Sequence, residues 1–184
     1  SARNAMEPYF STHYGNPSSI YRFGQEARKA VEESRQTIAS LLHVSPREIY
    51  FTGGGTESDN WAISSVVLES ALKKEKRAHL ITSSIEHPAV LRTCAFFESL
   101  GVKVSRIPVN QKGFLDLEAL ERALQEESSL QEEGSLRERE ERSFPSKSGE
   151  EAKKEGSHCL VSVMAANNEI GTIENLKEIG RLAK

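Results

Sequence analysis

Apolar side chains recur along this chain with two different spacings. At residues 25–42 they fall every three or four positions with charged side chains between them, which predicts an amphipathic helix. Residues 79–82 and 159–164 form short apolar runs, and residues 102–108 alternate apolar with polar side chains, so we predict a strand at each. A further short run, Ile49-Tyr50-Phe51-Thr52, predicts one more strand earlier in the chain.

Helical spacing returns between the predicted strands. It predicts helices that begin near Thr56, after Pro88 and at Leu115, and a last one that includes Leu176. Ser45-Pro46-Arg47-Glu48 has the pattern of a capping box, which predicts a short helical turn. Alternation of strands and helices indicates an α/β fold with a mostly parallel sheet flanked by helices. Ligands of such sheets bind outside the carboxyl ends of the strands.

The composition changes after residue 124. Glu, Arg, Lys and Ser dominate residues 125–157, where large apolar side chains are almost absent. Such a segment cannot bury enough apolar surface to offset its ordering entropy, so we predict a mobile insertion. We therefore expect residues 1–124 to form the first part of one domain and residues 158–184 to continue it.

Composition and charge exclude several classes of protein. The 184 residues carry a formal net charge of −3, which argues against a nucleic-acid-binding protein, and no apolar run is long enough to predict a membrane span. Cys94 and Cys159 lie far apart without a CxxC partner, which excludes a disulfide scaffold and a structural zinc site. This use of cysteine favours a reducing compartment.

A glycine-rich motif, Gly-Gly-Gly-Thr at residues 53–56, separates a predicted strand from a predicted helix. Glycine allows backbone N–H groups to approach a ligand closely, and a helix start favours an anion. The motif lacks the Lys-Ser/Thr pair of a P-loop and is not GxGxxG, so a phosphate monoester other than a free nucleotide is the favoured ligand. A tight turn with an N-cap is an equally good interpretation.

Two polar motifs follow other predicted strands. In Glu86-His87-Pro88 the imidazole could stack on a flat ring or transfer a proton. In Asn167-Asn168 an amide could hydrogen-bond a phenolic oxygen or a carboxylate. Taken alone, each motif favours a structural role, a capping or partly buried histidine and an Asx turn. The remaining histidines share no spacing typical of metal ligands.

Four motifs taken together resemble a known family. They are Asn16-Pro17-Ser18-Ser19 and the segments at residues 51–60, 82–87 and 163–171, in this order. The set resembles the cysteine desulfurases of iron–sulfur cluster assembly, within the class V aminotransferases. The resemblance implies part of the large domain of a PLP-dependent transferase of fold type I and a homodimer. It also implies conversion of L-cysteine to L-alanine with an enzyme persulfide, which supplies a sulfur-acceptor or iron–sulfur scaffold protein.

The resemblance also implies roles for individual residues. Gly55 and Thr56 would hold the phosphate of pyridoxal 5′-phosphate (PLP). His87 would stack on the pyridine ring and serve as a catalytic residue in proton transfer, and Asn168 would hydrogen-bond the 3-hydroxyl. The expected location is the cytoplasm, with the mitochondrial matrix as the alternative.

In the family, the chain begins earlier and continues far beyond the position of Lys184. We therefore expect an incomplete portion that does not turn over alone. The lysine that binds PLP covalently, the aspartate at the pyridine nitrogen and the sulfur-accepting cysteine are expected outside it. The alternatives are a selenocysteine lyase, another class V aminotransferase, a non-catalytic truncated remnant that binds a partner, and a simple phosphate-ligand-binding module.

Overall fold

The computed structural model describes residues 1–72, 78–126 and 159–184. These residues divide into two compact units, Ser1–Thr52 and Gly53–Lys184. Apart from residues 125 and 126, the predicted mobile insertion at 125–157 lies outside the described residues. Among the helices that the structure describes, none is both long enough and apolar enough to cross a membrane.

The first unit is built from helices α1 (Ala2–Ser11) and α2 (Arg22–Leu42) and a single 3₁₀ turn (Pro46–Glu48). The predicted helix at residues 25–42 is thus confirmed and begins three positions earlier. The predicted capping box is also confirmed: the N–H of Ser45 donates to Glu48 Oε2 at 2.7 Å, and the N–H of Arg47 donates to Ser45 Oγ at 3.4 Å.

The strand predicted at residues 49–52 is wrong. Ile49 has an extended backbone, with φ of −99° and ψ of 124°, but these residues join no strand in the described part of the chain. Instead, the Arg35 guanidinium donates to the Ile49 carbonyl and lies 4.9 Å from the centroid of the Phe51 ring. An apolar run becomes a strand only where a neighbouring strand takes up its backbone hydrogen bonds.

A parallel sheet forms the centre of the second unit. Its strands are β1 (His79–Ser83), β2 (Lys103–Ile107) and β3 (Cys159–Ser162), in the order β2-β1-β3. Leu80 of β1 lies opposite Val104 and Leu160. Around the sheet lie α3 (Gly55–Leu72), α4 (Pro88–Ser99), α5 (residues 117–126) and α6 (Leu176–Leu182). The predicted α/β fold with a parallel sheet is confirmed.

Apolar side chains pack on both faces of this sheet because successive residues of β1 point to opposite sides. Leu80 belongs to one cluster of buried residues, which also contains Ile63, Val67, Val90, Cys94 and Phe97. Ile81 belongs to a second cluster, which also contains Ile107, Leu115, Leu120, Ala123 and Ile179. Cys159 packs against the second cluster, so both cysteines contribute to packing.

Candidate functional site

The glycine-rich motif lies at the start of α3. The helix begins at Gly55, next to the predicted start near Thr56, so Thr56 lies in the first turn and caps nothing. Glu57 Oε2 accepts the N–H of Gly53 at 2.6 Å. Apart from the chain neighbours and the backbone of the helix itself, a Cβ atom on Gly54 or Gly55 would have no heavy atom within 4 Å. Open space therefore adjoins the first N–H groups of the helix, which have no intrahelical acceptor and carry partial positive charge.

His87 lies between β1 and α4 and is the N-cap of α4. Its Nδ1 accepts the backbone N–H of Ala89 at 3.1 Å, and Pro88 occupies the first helical position. The capping interpretation of this histidine is therefore confirmed. The side chain nevertheless remains exposed, so a face of the imidazole is open to a ligand.

The two adjacent asparagines after β3 differ in their surroundings. Asn167 is 9% exposed, and its Oδ1 accepts the N–H groups of Glu169 and Ile170 at 2.9 and 3.0 Å, while its Nδ2 donates to the Ile85 carbonyl at 3.1 Å. The predicted Asx turn is thus confirmed at Asn167. The side chain of Asn168 is exposed beside it, so the turn presents that amide to the surroundings.

Two cavities share His87. One, of about 410 Å³, is lined by residues of α3 and α4 that include Thr56 and Arg92. The other, of about 270 Å³, is lined by residues that follow β1 and β3, and Asn168 is among them. Thr56 therefore lines one cavity, Asn168 lines the other, and His87 lines both. Gly55 lines neither cavity but directly precedes Thr56.

Sequence patterns assigned no role to Glu86, which lines the second cavity. The residue is only 6% exposed. Burial raises the pKa of Glu86, and the nearby carboxylates of Asp59 and Glu174 raise it further. Hydrogen bonds from the Met164 N–H and the Ser83 hydroxyl act in the opposite direction. The position of Glu86 between a strand end and His87 is the only signal in the sequence that could have marked it.

Asn60 is a second residue that the sequence motifs contained without a stated role. Its Nδ2 donates to the Thr56 carbonyl at 2.6 Å, and its Oδ1 accepts a hydrogen bond from the Thr93 hydroxyl. Because Thr56 belongs to α3 and Thr93 to α4, Asn60 ties together the two helices that line the larger cavity.

The site offers groups for an anion and for a flat, polar ring. The start of α3 suits an anion, His87 presents an aromatic face, and Asn168 presents an amide with both a donor and an acceptor. In the part of the chain that the structure describes, no three His, Cys, Asp or Glu side chains are grouped so that they could hold a metal ion.

Comparisons with known proteins identify relatives of this chain. The family model for aminotransferase class-V matches residues 2–131. Cysteine desulfurase IscS of Clostridium botulinum is 39% identical over 179 residues, which are 97% of this chain and 37% of that protein. Cysteine desulfurase IscS of Methanosarcina thermophila is 39% identical over 180 residues, which are 98% of this chain and 36% of that protein.

Solved structures give the same result. A NifS-like protein superposes with a TM-score of 0.72 at 34% identity, over 98% of this chain and 41% of that one. SspA in complex with cysteine superposes with a TM-score of 0.70 at 30% identity, over 98% of this chain and 42% of that one. This likeness confirms the fold that the sequence resemblance implied. The chain spans less than half the length of these relatives, and the family model matches most of it. The chain belongs to the class-V aminotransferase family.

Proposed function

We propose that the protein to which these 184 residues belong is a PLP-dependent cysteine desulfurase. In the reaction, sulfur leaves L-cysteine as an enzyme persulfide and L-alanine remains. The observation that carries this proposal is that Thr56 and Asn168, from separate parts of the chain, line cavities that share His87. The relatives named cysteine desulfurase, which match almost the whole chain, support it.

The start of α3 has the properties that a phosphate monoester requires. The start of the helix has open space beside it, because a Cβ on Gly54 or Gly55 would meet no heavy atom within 4 Å beyond the chain neighbours and the backbone of the helix itself. The partial positive charge of its first N–H groups favours the phosphate dianion, and the Thr56 hydroxyl adds a further donor. We assign Gly55 and Thr56 to the phosphate of PLP for these reasons.

His87 and Asn168 suit the pyridine ring of the same cofactor. The capping bond from the Ala89 N–H to Nδ1 fixes the orientation of the imidazole, so an aromatic face is held ready to stack. We assign the Asn168 amide to the 3-hydroxyl, because an amide N–H can donate to a phenolic oxygen. When bound, PLP supplies the electron sink for bonds at the substrate α-carbon. His87 would move a proton through its other ring nitrogen, Nε2.

The partners and surroundings of the whole protein belong to the same proposal. We propose L-cysteine as substrate, a sulfur-acceptor or iron–sulfur scaffold protein as recipient, and a homodimer as the assembly. SspA, one of the similar structures, is in complex with cysteine. A reducing compartment, the cytoplasm or the mitochondrial matrix, agrees with two cysteines that form no disulfide with each other.

The test is turnover by the whole protein that contains this chain. PLP, L-cysteine and an excess of thiol reductant are added, and alanine and sulfide are measured over time. We expect both products in equal amounts and a loss of turnover in His87→Ala. Production of neither from cysteine, by a protein that binds PLP, would refute the desulfurase. Much faster turnover of L-selenocysteine would identify a selenocysteine lyase instead.

A further inference from the structure

Glu86 forms a bridge between the two loops that lie at the carboxyl ends of β1 and β3. Its Oε1 accepts the backbone N–H of Met164 at 2.8 Å and the hydroxyl of Ser83 at 2.9 Å. Met164 follows β3, whereas Ser83 is the last residue of β1. Glu86 is only 6% exposed, and its two hydrogen bonds offset part of the cost of burying a carboxyl.

The hydrogen bonds of Glu86 lie beyond the point where β1 and β3 pair in the sheet. The pairing of β1 with β3 ends at Thr82 and Ser162. Beyond that point the two loops are linked by the Glu86–Met164 hydrogen bond and by the hydrogen bond from Asn167 Nδ2 to the Ile85 carbonyl, at 3.1 Å.

Both links lie next to proposed PLP-binding residues. Glu86 directly precedes His87, and Asn167 directly precedes Asn168. Glu86, His87, Asn167 and Asn168 all line the cavity of about 270 Å³. A ring held between His87 and Asn168 would therefore depend on a fixed distance between the two loops, because placement errors of about 1 Å are costly in such sites.

We propose that Glu86 is a positioning residue: its Oε1, as a hydrogen-bond acceptor for the Met164 N–H, sets the placement of His87 relative to Asn168. This inference rests on the proposed function. The acceptor atom, and not a negative charge, performs the role. Glutamine at this position keeps an acceptor oxygen of the same reach, whereas alanine leaves the Met164 N–H without it.

The experiment compares Glu86→Gln, Glu86→Ala and Ser83→Ala in the whole protein. The readouts are the dissociation constant of PLP, the induced circular dichroism of bound PLP, and kcat and KM for L-cysteine. We expect Glu86→Ala to bind PLP about tenfold more weakly, as the loss of one buried hydrogen bond implies. The induced circular dichroism should change, and kcat should fall more than KM rises.

Glu86→Gln should keep the wild-type affinity and dichroism. Ser83→Ala should do the same. It removes the hydrogen bond between Ser83, at the end of β1, and Glu86, but it leaves the Glu86–Met164 hydrogen bond that links the two loops. If Glu86→Gln behaves like Glu86→Ala, or Ser83→Ala does, the assignment to the acceptor of the Met164 N–H is overturned. Wild-type behaviour of Glu86→Ala would also overturn it.

If Glu86→Ala does not fold, Glu86→Asp takes its place, because it keeps the charge and shortens the reach. The inference then requires an altered dichroism in Glu86→Asp, and a wild-type signal would overturn it. Failure of the proposed function has a different signature: the wild-type protein would then bind no PLP, or would bind PLP without producing alanine and sulfide from cysteine. A wild-type protein that binds PLP and desulfurates cysteine, with all Glu86 variants unchanged, would overturn this inference alone.

Discussion

The N–H of Ala89 donates to Nδ1 of His87 at 3.1 Å, so a single imidazole caps α4 and faces both cavities of the site. A neutral ring that accepts at Nδ1 carries its proton on Nε2. The helix start thereby selects the tautomer, and Nε2–H is the group that can meet a ligand. The capping role of His87 therefore leaves Nε2 available for the role that we propose toward PLP.

Substitution of His87 should separate its two roles. His87→Asn keeps a capping side chain and loses the aromatic ring, whereas His87→Ala loses both. We expect both variants to bind PLP much more weakly than the wild type. Only His87→Ala should also lose stability in the absence of PLP, by about 1 kcal/mol, the usual cost of a lost N-cap. Urea denaturation and a PLP titration measure the two effects, and wild-type PLP affinity in His87→Asn would contradict the stacking role.

The adjacent asparagines provide a matched pair of variants. Asn167→Ala removes an acceptor for two N–H groups and a donor to the Ile85 carbonyl, so we expect a loss of about 1–3 kcal/mol in the free energy of unfolding. Asn168→Ala should leave stability almost unchanged and shift the visible absorption of bound PLP. The reverse pattern, a stability loss in Asn168→Ala with an unchanged spectrum, would show that the roles are exchanged.

Gly55→Val tests the open space at the start of α3. A Cβ there would meet no heavy atom within 4 Å beyond the chain neighbours and the backbone of the helix itself, and valine has a higher helix propensity than glycine. The protein without PLP should therefore unfold at the wild-type urea concentration or slightly above it. PLP affinity should fall because the side chain occupies the proposed phosphate site. An unchanged affinity would place the phosphate elsewhere.

Glu86 should make stability depend on pH. Its pKa in the folded protein is raised above the ordinary value of 4.5, so the folded state holds the proton more strongly than the unfolded state does. The contribution of Glu86 is therefore fully present below pH 4.5 and declines as pH rises through the folded pKa. Glu86→Gln does not titrate, so its stability relative to the wild type should increase with pH across that window. Denaturation curves from below pH 4.5 to neutral pH measure it, and a relative stability that decreases would contradict the direction.

Sequence patterns predicted the structure correctly where a segment's own residues determine it. The buried strand β1, the helix α2 and the capping box at Ser45 follow from spacing and side-chain type alone. The run at residues 49–52 has the same apolar character as β1, yet it forms no strand in the described chain. The difference is that β1 has neighbouring strands to pair with. The spacing of apolar residues within one segment carries no information about such neighbours.

The sequence identified candidate ligand-binding residues but not the residues that hold them in place. Gly55, Thr56, His87 and Asn168 were identified from motifs, although their roles toward PLP remain proposals. The bridge from Glu86 could not be predicted, because its partner N–H on Met164 lies 78 positions away in the chain. The different environments of Asn167 and Asn168 could not be predicted either, since the side chains are identical and only the turn geometry separates them.

The most direct test of the central claim is a crystal structure of the whole protein with PLP bound. We predict the phosphate within hydrogen-bond distance of the Gly55 and Thr56 N–H groups, the pyridine ring against the His87 imidazole, and the Asn168 amide at the 3-hydroxyl. A phosphate bound away from the start of α3, or a ring that contacts neither His87 nor Asn168, would contradict that claim.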